Sequence, residues 1–181
     1  TTANQSEYSL VNAMVTILNP AGVQDILDFG LYGWAMSRFS GCWTSLKCVH
    51  DTVEASASVS VSSQPRPLVI PDEFMMPEGG LNIRWPDGFL AQEERLQQYK
   101  LNAVGAYSRL NPIDRHVLGG ADSHTGLVTT GKSYLDVRRA LLELGIDERR
   151  ADVLGLKVYK VGLVWPLEPE GLKQFVRGLK R

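Results

Sequence analysis

Between residues 62 and 86 the chain carries Pro65, Pro67, Pro71, Pro77 and Pro86, together with the pair Gly79-Gly80. Proline fixes φ and removes a backbone donor, and glycine loosens the chain, so this stretch supplies neither a central strand nor a helix interior. A connector of this length is unusual within one compact domain, so it reads as the join between two units, ordered only where it docks on something. The expected division is a first unit over residues 1–61, a connector with a following helix over 62–110, and a second unit over 111–181.

In the first unit, Asn19-Pro20 predicts a helix start, with Asn19 as cap and Pro20 at the first helical position. Val23, Ile26, Leu27, Gly30, Leu31, Trp34 and Ala35 then recur at helical spacing as one apolar stripe. Gly30 and Gly33 lower helix propensity and predict close packing, and Ser40-Gly41 ends the helix. Cys42, Thr44, Leu46 and Cys48 alternate as in a strand over residues 42–49, and 57–61 reads as another extended piece.

After the connector, an amphipathic helix is expected over 92–110, with Leu96, Tyr99, Ala103, Ala106 and Leu110 inward. Strands are expected at 115–118, 127–130 and 156–161. Ser133 and Asp136 resemble a capping box opening a helix that Gly145 ends, and its apolar residues are Leu135, Leu141, Leu142 and Leu144. Asp147 caps a short helix that Gly155 ends, and Pro169 starts the last helix, with Leu172, Phe175, Val176 and Leu179 inward. Strand–helix–strand–helix order with short links predicts an α/β fold with a parallel sheet, right-handed crossovers and three layers.

Composition narrows the function classes. The 181 residues carry a formal net charge of -1, which leaves no basic footprint for nucleic acid or anionic membrane. No apolar run is long enough to span a bilayer, and residues 1–8 are too polar for a secretory signal. Cys42 and Cys48 match no zinc or cluster spacing, and two buried free thiols in a cytoplasmic protein are expected. Thr1 is not an initiator methionine and no strand follows the last helix, so both ends read as cut from a longer chain.

Gly126-Leu127-Val128-Thr129-Thr130-Gly131-Lys132-Ser133 fits the phosphate-loop pattern G-x-x-x-x-G-K-[ST] literally. Such a loop needs a strand before its first glycine and a turn between the two glycines. Here the residues before Gly126 look like loop and the inner four look like strand. A strand–turn–helix corner with Ser133 as cap is the plainer reading, and a nucleotide-binding domain is the alternative. His50, His116 and His124 are scattered, with no ligand partners at metal spacing. Trp165-Pro166-Leu167-Glu168-Pro169 reads as a rigid strand-to-helix turn, and Gln5-Ser6-Glu7 as a polar helix start. A non-catalytic interaction domain is a third possibility.

Two stretches go beyond these generic readings. Leu156-Lys157-Val158-Tyr159-Lys160-Val161-Gly162-Leu163-Val164-Trp165-Pro166-Leu167-Glu168-Pro169-Glu170-Gly171 resembles a signature of the indolepyruvate ferredoxin oxidoreductases in their large fused bacterial form. The run from Leu127 to Val137 resembles a strand and helix of the same family. Upstream, Gln5 to Tyr8, Val23 to Leu31 and Met36 to Gly41 resemble the later part of its first domain, in the same order and spacing.

The resemblance implies that residues 1–61 are the end of a domain like the thiamine-pyrimidine-binding domain, and that 111–181 begin a domain like the C-terminal domain of transketolase. It implies oxidative decarboxylation of an arylpyruvate or other 2-oxoacid to an acyl-CoA, with ferredoxin as electron acceptor. Thiamine diphosphate, Mg2+ and iron–sulfur clusters would be held by the remaining domains of the parent enzyme, and none by this stretch, which would be inactive alone. Gln5, Ser6 and Glu7 match a family segment near the substrate pocket. No catalytic residue and no metal ligand is assigned. A cut first domain should expose apolar surface along Val23 to Ala35, so self-association is expected.

Overall fold

The computed structural model describes residues 5–61 and 67–180. Pro65 of the connector lies outside the described residues. Two three-stranded sheets organise the chain, with strand orders β2-β1-β6 and β3-β5-β4. In the first sheet, β1 (Thr16–Leu18) pairs parallel with β2 (Thr44–Leu46) and antiparallel with β6 (Leu163–Trp165). In the second, β5 (Leu156–Val161) pairs parallel with β4 (Thr125–Thr130) and antiparallel with β3 (Arg115–Leu118). The α/β class holds, and each sheet combines the expected parallel pair with one antiparallel strand. β6 follows β5 after Gly162 alone, so the chain passes from the second sheet into the first within one residue.

The first sheet carries α2 (Val23–Ser40), whose buried face includes Asp25, Phe29, Tyr32, Gly33 and Met36. The predicted stripe is therefore corrected: Leu27, Leu31 and Trp34 lie outward, 45%, 54% and 64% exposed. This helix is apolar on two faces, and the sheet covers only the one bearing Phe29. The predicted start also moves. Gly22 is the N-cap, and Asn19 continues the strand, its N–H donating to Gly162 O at 2.8 Å. An added Cβ at Gly33 would lie 3.0 Å from Leu18 and Thr44, as expected of close packing, whereas Gly30 faces open space. Gly41 ends α2 at φ 71°. The strand expected over 42–49 shrinks to β2, and a single helical turn, α3 (His50–Val53), follows it. Residues 57–61 form no strand, and Ser60 hydrogen-bonds instead through its backbone to the Gln24 side chain.

The connector is docked. Leu81 is buried, Phe74 packs edge-on against Phe39, and the Asn111 amide holds both the N–H and the C=O of Val69. The following helical run comprises α4 (Phe89–Arg95), a π-turn at Leu96–Lys100 and α5 (Leu101–Leu110). Its buried residues in α5 are Ala103, Val104, Tyr107 and Ser108, whereas Tyr99 and Leu110 are exposed. Of the expected inward set, Ala103 is buried and Leu96 packs against the core, whereas Tyr99 and Leu110 turn outward, because the π-turn takes an extra residue and shifts the phase.

The second sheet is sandwiched as a three-layer unit. α6 (Gly131–Glu143) and α7 (Glu148–Leu154) cover one face, where Leu118, Leu141, Ala151 and Val158 pack. α8 (Pro169–Val176) covers the other, with Phe175 against Tyr159 and Val161. Val176, expected inward, is exposed, and of the apolar residues of α6 and the turn after it Leu141 is buried while Leu135, Leu142 and Leu144 are exposed. Asp147 caps α7 by accepting from Arg150 N at 2.8 Å, and Gly155 ends it at φ 62°. α6 has Thr130 as its N-cap without a side-chain bond, so Ser133 lies inside the first turn and is no cap.

Candidate functional site

A cleft of about 350 Å³ lies between the end of α5, the centre of β5 and the start of α8. α5 supplies Ser108 and Arg109, the turn before β3 supplies Asp114, and β5 supplies Tyr159. β6 ends at Trp165, a cis Trp165-Pro166 bond follows, and Glu168 then caps α8. The expected strand-to-helix turn is therefore present, and it places a buried carboxylate at the cleft.

Glu168 is 2% exposed and fully engaged. Its carboxylate accepts from Glu170 N at 3.1 Å, Gly171 N at 2.7 Å and Arg109 Nη1 at 2.8 Å. Gly171 has no room for a side chain, since a Cβ there would lie 2.6 Å from the Tyr159 hydroxyl. Glu170 is taken by Lys173 Nζ at 2.8 Å.

Asp114 differs. Oδ1 accepts from Gly162 N at 2.7 Å and Leu163 N at 2.8 Å, which fixes the corner between β5 and β6. Oδ2 is buried with no partner in the protein, as is Ser108 Oγ. Burial pushes the Asp114 carboxyl up to about 6, against the two amides that favour its charged form, and the Glu168 charge adds to the rise. Burial, then the Asp114 and Glu168 charges, pushes the Tyr159 phenol upward as well, so it stays a donor.

The residues singled out from sequence lie elsewhere. Gln5 and Ser6 are exposed at the start of α1 (Glu7–Asn12), and Glu7 is ion-paired with Lys47, just past β2. This pair holds the Glu7 carboxyl below its ordinary range, the Lys47 hydrogen bond contributing most. β2 and β6 are opposite edges of the first sheet, so this segment and the cleft sit on different flanks.

The phosphate-loop reading fails on geometry. Leu127 to Thr130 are laddered to Val158 through Val161, so they form no turn, and Lys132 is bound by Asp136 at 2.9 Å. Cys42 is buried and Cys48 half-buried, and burial raises both thiols. Among the described residues, no group of three His, Cys, Asp or Glu side chains could hold a metal ion, and none of the described helices is long and apolar enough to cross a membrane. Two cysteines are too few to hold a four-thiolate iron–sulfur cluster within this stretch.

Sequence reasoning missed Ser108, Arg109 and Asp114. The one available signal was Glu168, an acid directly before a proline at a helix start, where a carboxylate oxygen can meet free amides.

Comparison with known proteins agrees with this fold. The indolepyruvate oxidoreductase domain profile matches residues 115–181. The chain is 24% identical over 175 residues to the indolepyruvate oxidoreductase subunit IorA of Methanothermobacter thermautotrophicus, covering 93% of this chain and 26% of that protein. A 2-oxoglutarate:ferredoxin oxidoreductase from Magnetococcus marinus, solved with 2-oxoglutarate, coenzyme A and succinyl-CoA bound, has the same fold. It superposes with a TM-score of 0.56 at 12% identity, over 92% of this chain and 34% of that one. The chain thus spans about a quarter to a third of the proteins it matches. A domain profile over β3 to α8, a relative matched along 93% of this chain and a shared fold make the chain similar to the 2-oxoacid:ferredoxin oxidoreductases.

Proposed function

We propose that this chain is a structural and docking portion of a thiamine-diphosphate-dependent oxidoreductase that decarboxylates an arylpyruvate or other 2-oxoacid to an acyl-CoA and reduces ferredoxin. The observation that carries the reading is the indolepyruvate oxidoreductase match over 115–181, set in a chain that aligns along 93% of its length with a much longer relative. Thiamine diphosphate supplies the carbanion chemistry when bound. On this reading the cofactor, Mg2+ and clusters are held by other domains of the parent enzyme. The enzyme is cytoplasmic, residues 1–61 close a pyrimidine-binding-like domain, and 111–181 open a transketolase C-terminal-like one.

Within that enzyme, residues 1–181 contribute a packed joint between two sheets and an outer apolar stripe, Leu27, Leu31 and Trp34, for a neighbouring domain. Gln5, Ser6 and Glu7 form a lip near the substrate pocket. Left uncovered, the stripe drives self-association, and a light-scattering mass that stays monomeric at high concentration contradicts this. Assaying the chain with and without the remaining domains for thiamine-dependent reduction of ferredoxin by indolepyruvate tests the assignment. Turnover is expected only in the assembled protein.

A further inference from the structure

We propose that the cleft between α5 and α8 is a binding site for a small hydroxy- or amino-carboxylate. The argument begins with which charges are already spent. Glu168 is saturated by Arg109 and two helix amides, and Glu170 by Lys173. What remains at the rim is cationic. Arg109 commits Nη1 and leaves the rest of a half-exposed guanidinium, and Arg177 is exposed with no side-chain partner among the described residues. Both line the cleft, so the two guanidinium groups share one mouth, and after the Lys173 hydrogen bond their charges help hold the Glu170 carboxyl below its ordinary range.

The interior is of the opposite kind. Asp114 Oδ2 is a buried acceptor without a donor, and Ser108, 2% exposed, carries a buried hydroxyl without any partner. A buried polar atom without a partner is costly, and it is most simply explained by a group that arrives from outside the protein. The Tyr159 phenol lines the same space. The cleft thus offers donors for an anion at its mouth and acceptors for a hydroxyl or ammonium at its floor. A volume of about 350 Å³ suits a molecule with both groups on a short carbon frame. The floor atoms are closed to water, so a ligand reaches them when side chains lining the cleft change rotamer, a fast motion at exposed positions.

The test is a titration of the chain by amide NMR, using L-lactate and L-alanine as probes, with propionate and pyruvate as carboxylates that lack the donor. At least one of lactate and alanine should bind with a Kd on the order of 1 mM, shifting the Gly162, Leu163 and Gly171 amides, and propionate and pyruvate should bind at least about tenfold more weakly. Arg177→Gln, at an exposed position, should weaken binding about tenfold through the lost charge-assisted contact. Ser108→Ala, which removes only an unpartnered hydroxyl, should weaken it while leaving the fold intact. Equal binding of propionate or pyruvate, shifts that persist unchanged in both variants, or no saturable shift with any probe would overturn the proposal. None of these readouts involves ferredoxin reduction, so failure here is separable from failure of the enzymatic assignment.

Discussion

Lys160 and Asp25, 135 residues apart in sequence, form a buried ion pair that ties the central strand of the second sheet to the helix covering the first. Lys160 is 0% exposed, and its ammonium also lies over the rings of Tyr134 at 4.8 Å and Phe29 at 5.4 Å. Burial pulls Lys160 below its ordinary range, with Asp25 opposing. Asp25 further accepts from Ala21 N at 2.8 Å and sits 3.7 Å from Arg115 Nη2. Removing one partner strands a charge in the interior. Asp25→Ala should therefore cost about 3–5 kcal/mol in urea unfolding, and the double variant Asp25→Leu/Lys160→Met should recover most of it. A single-variant loss below about 1 kcal/mol would show that the pair does not hold the sheets together.

Asp114 should leave a mark on the pH dependence of stability. Its folded value, about 6, lies above the ordinary carboxylate range. Between the two values the folded chain holds a proton that the unfolded chain has released. This group's contribution is therefore largest at the acidic end, declines as pH rises towards about 6, and is constant above it. Asp114→Asn keeps an oxygen for the Gly162 and Leu163 amides and removes the titration. Relative to the variant, the wild type should lose about 2–3 kcal/mol between about pH 4 and pH 7. Parallel stability–pH curves would refute the assignment.

Glu168 and Arg109 should not be equivalent, although they share a bond. Glu168→Ala uncaps α8 and removes three accepted hydrogen bonds from a buried position, a loss of about 2–3 kcal/mol. Arg109→Ala removes one half-exposed partner, and should cost about 1 kcal/mol or less. Chemical denaturation of the two variants gives the order directly, and a reversed order would contradict the packing around α8.

The Gly126-to-Ser133 segment should be inert towards nucleotides. A ligand that binds the folded state raises the melting temperature, the more so the further its concentration exceeds Kd. Mg-ATP should produce no rise, and Lys132→Ala should leave the denaturation midpoint essentially unchanged, since its pair with Asp136 is on the surface.

Local chemistry was well legible in the sequence. The Gly41 and Gly155 helix ends, the Asp147 cap and the β5 strand all follow from residue type and spacing. Helix phase was not. α2 carries apolar residues on two faces, so periodicity could not say which meets the sheet, and the π-turn at Leu96–Lys100 leaves no mark in an α-helical repeat. The cleft was illegible for a related reason. Asp114 gains its role only when the β5–β6 corner brings Gly162 and Leu163 to it, from nearly 50 residues away. The family resemblance supplied what spacing could not, because Leu156 to Gly171 is specific as a string while each residue alone is ordinary.

The most direct test of the central claim is reconstitution. The chain is combined with the remaining domains of the protein, thiamine diphosphate, Mg2+ and coenzyme A, and indolepyruvate-dependent reduction of ferredoxin is followed. The account predicts turnover in the assembled protein, none with residues 1–181 alone, and none without thiamine diphosphate. Turnover by the isolated chain, or turnover of the assembly independent of thiamine diphosphate, would contradict it.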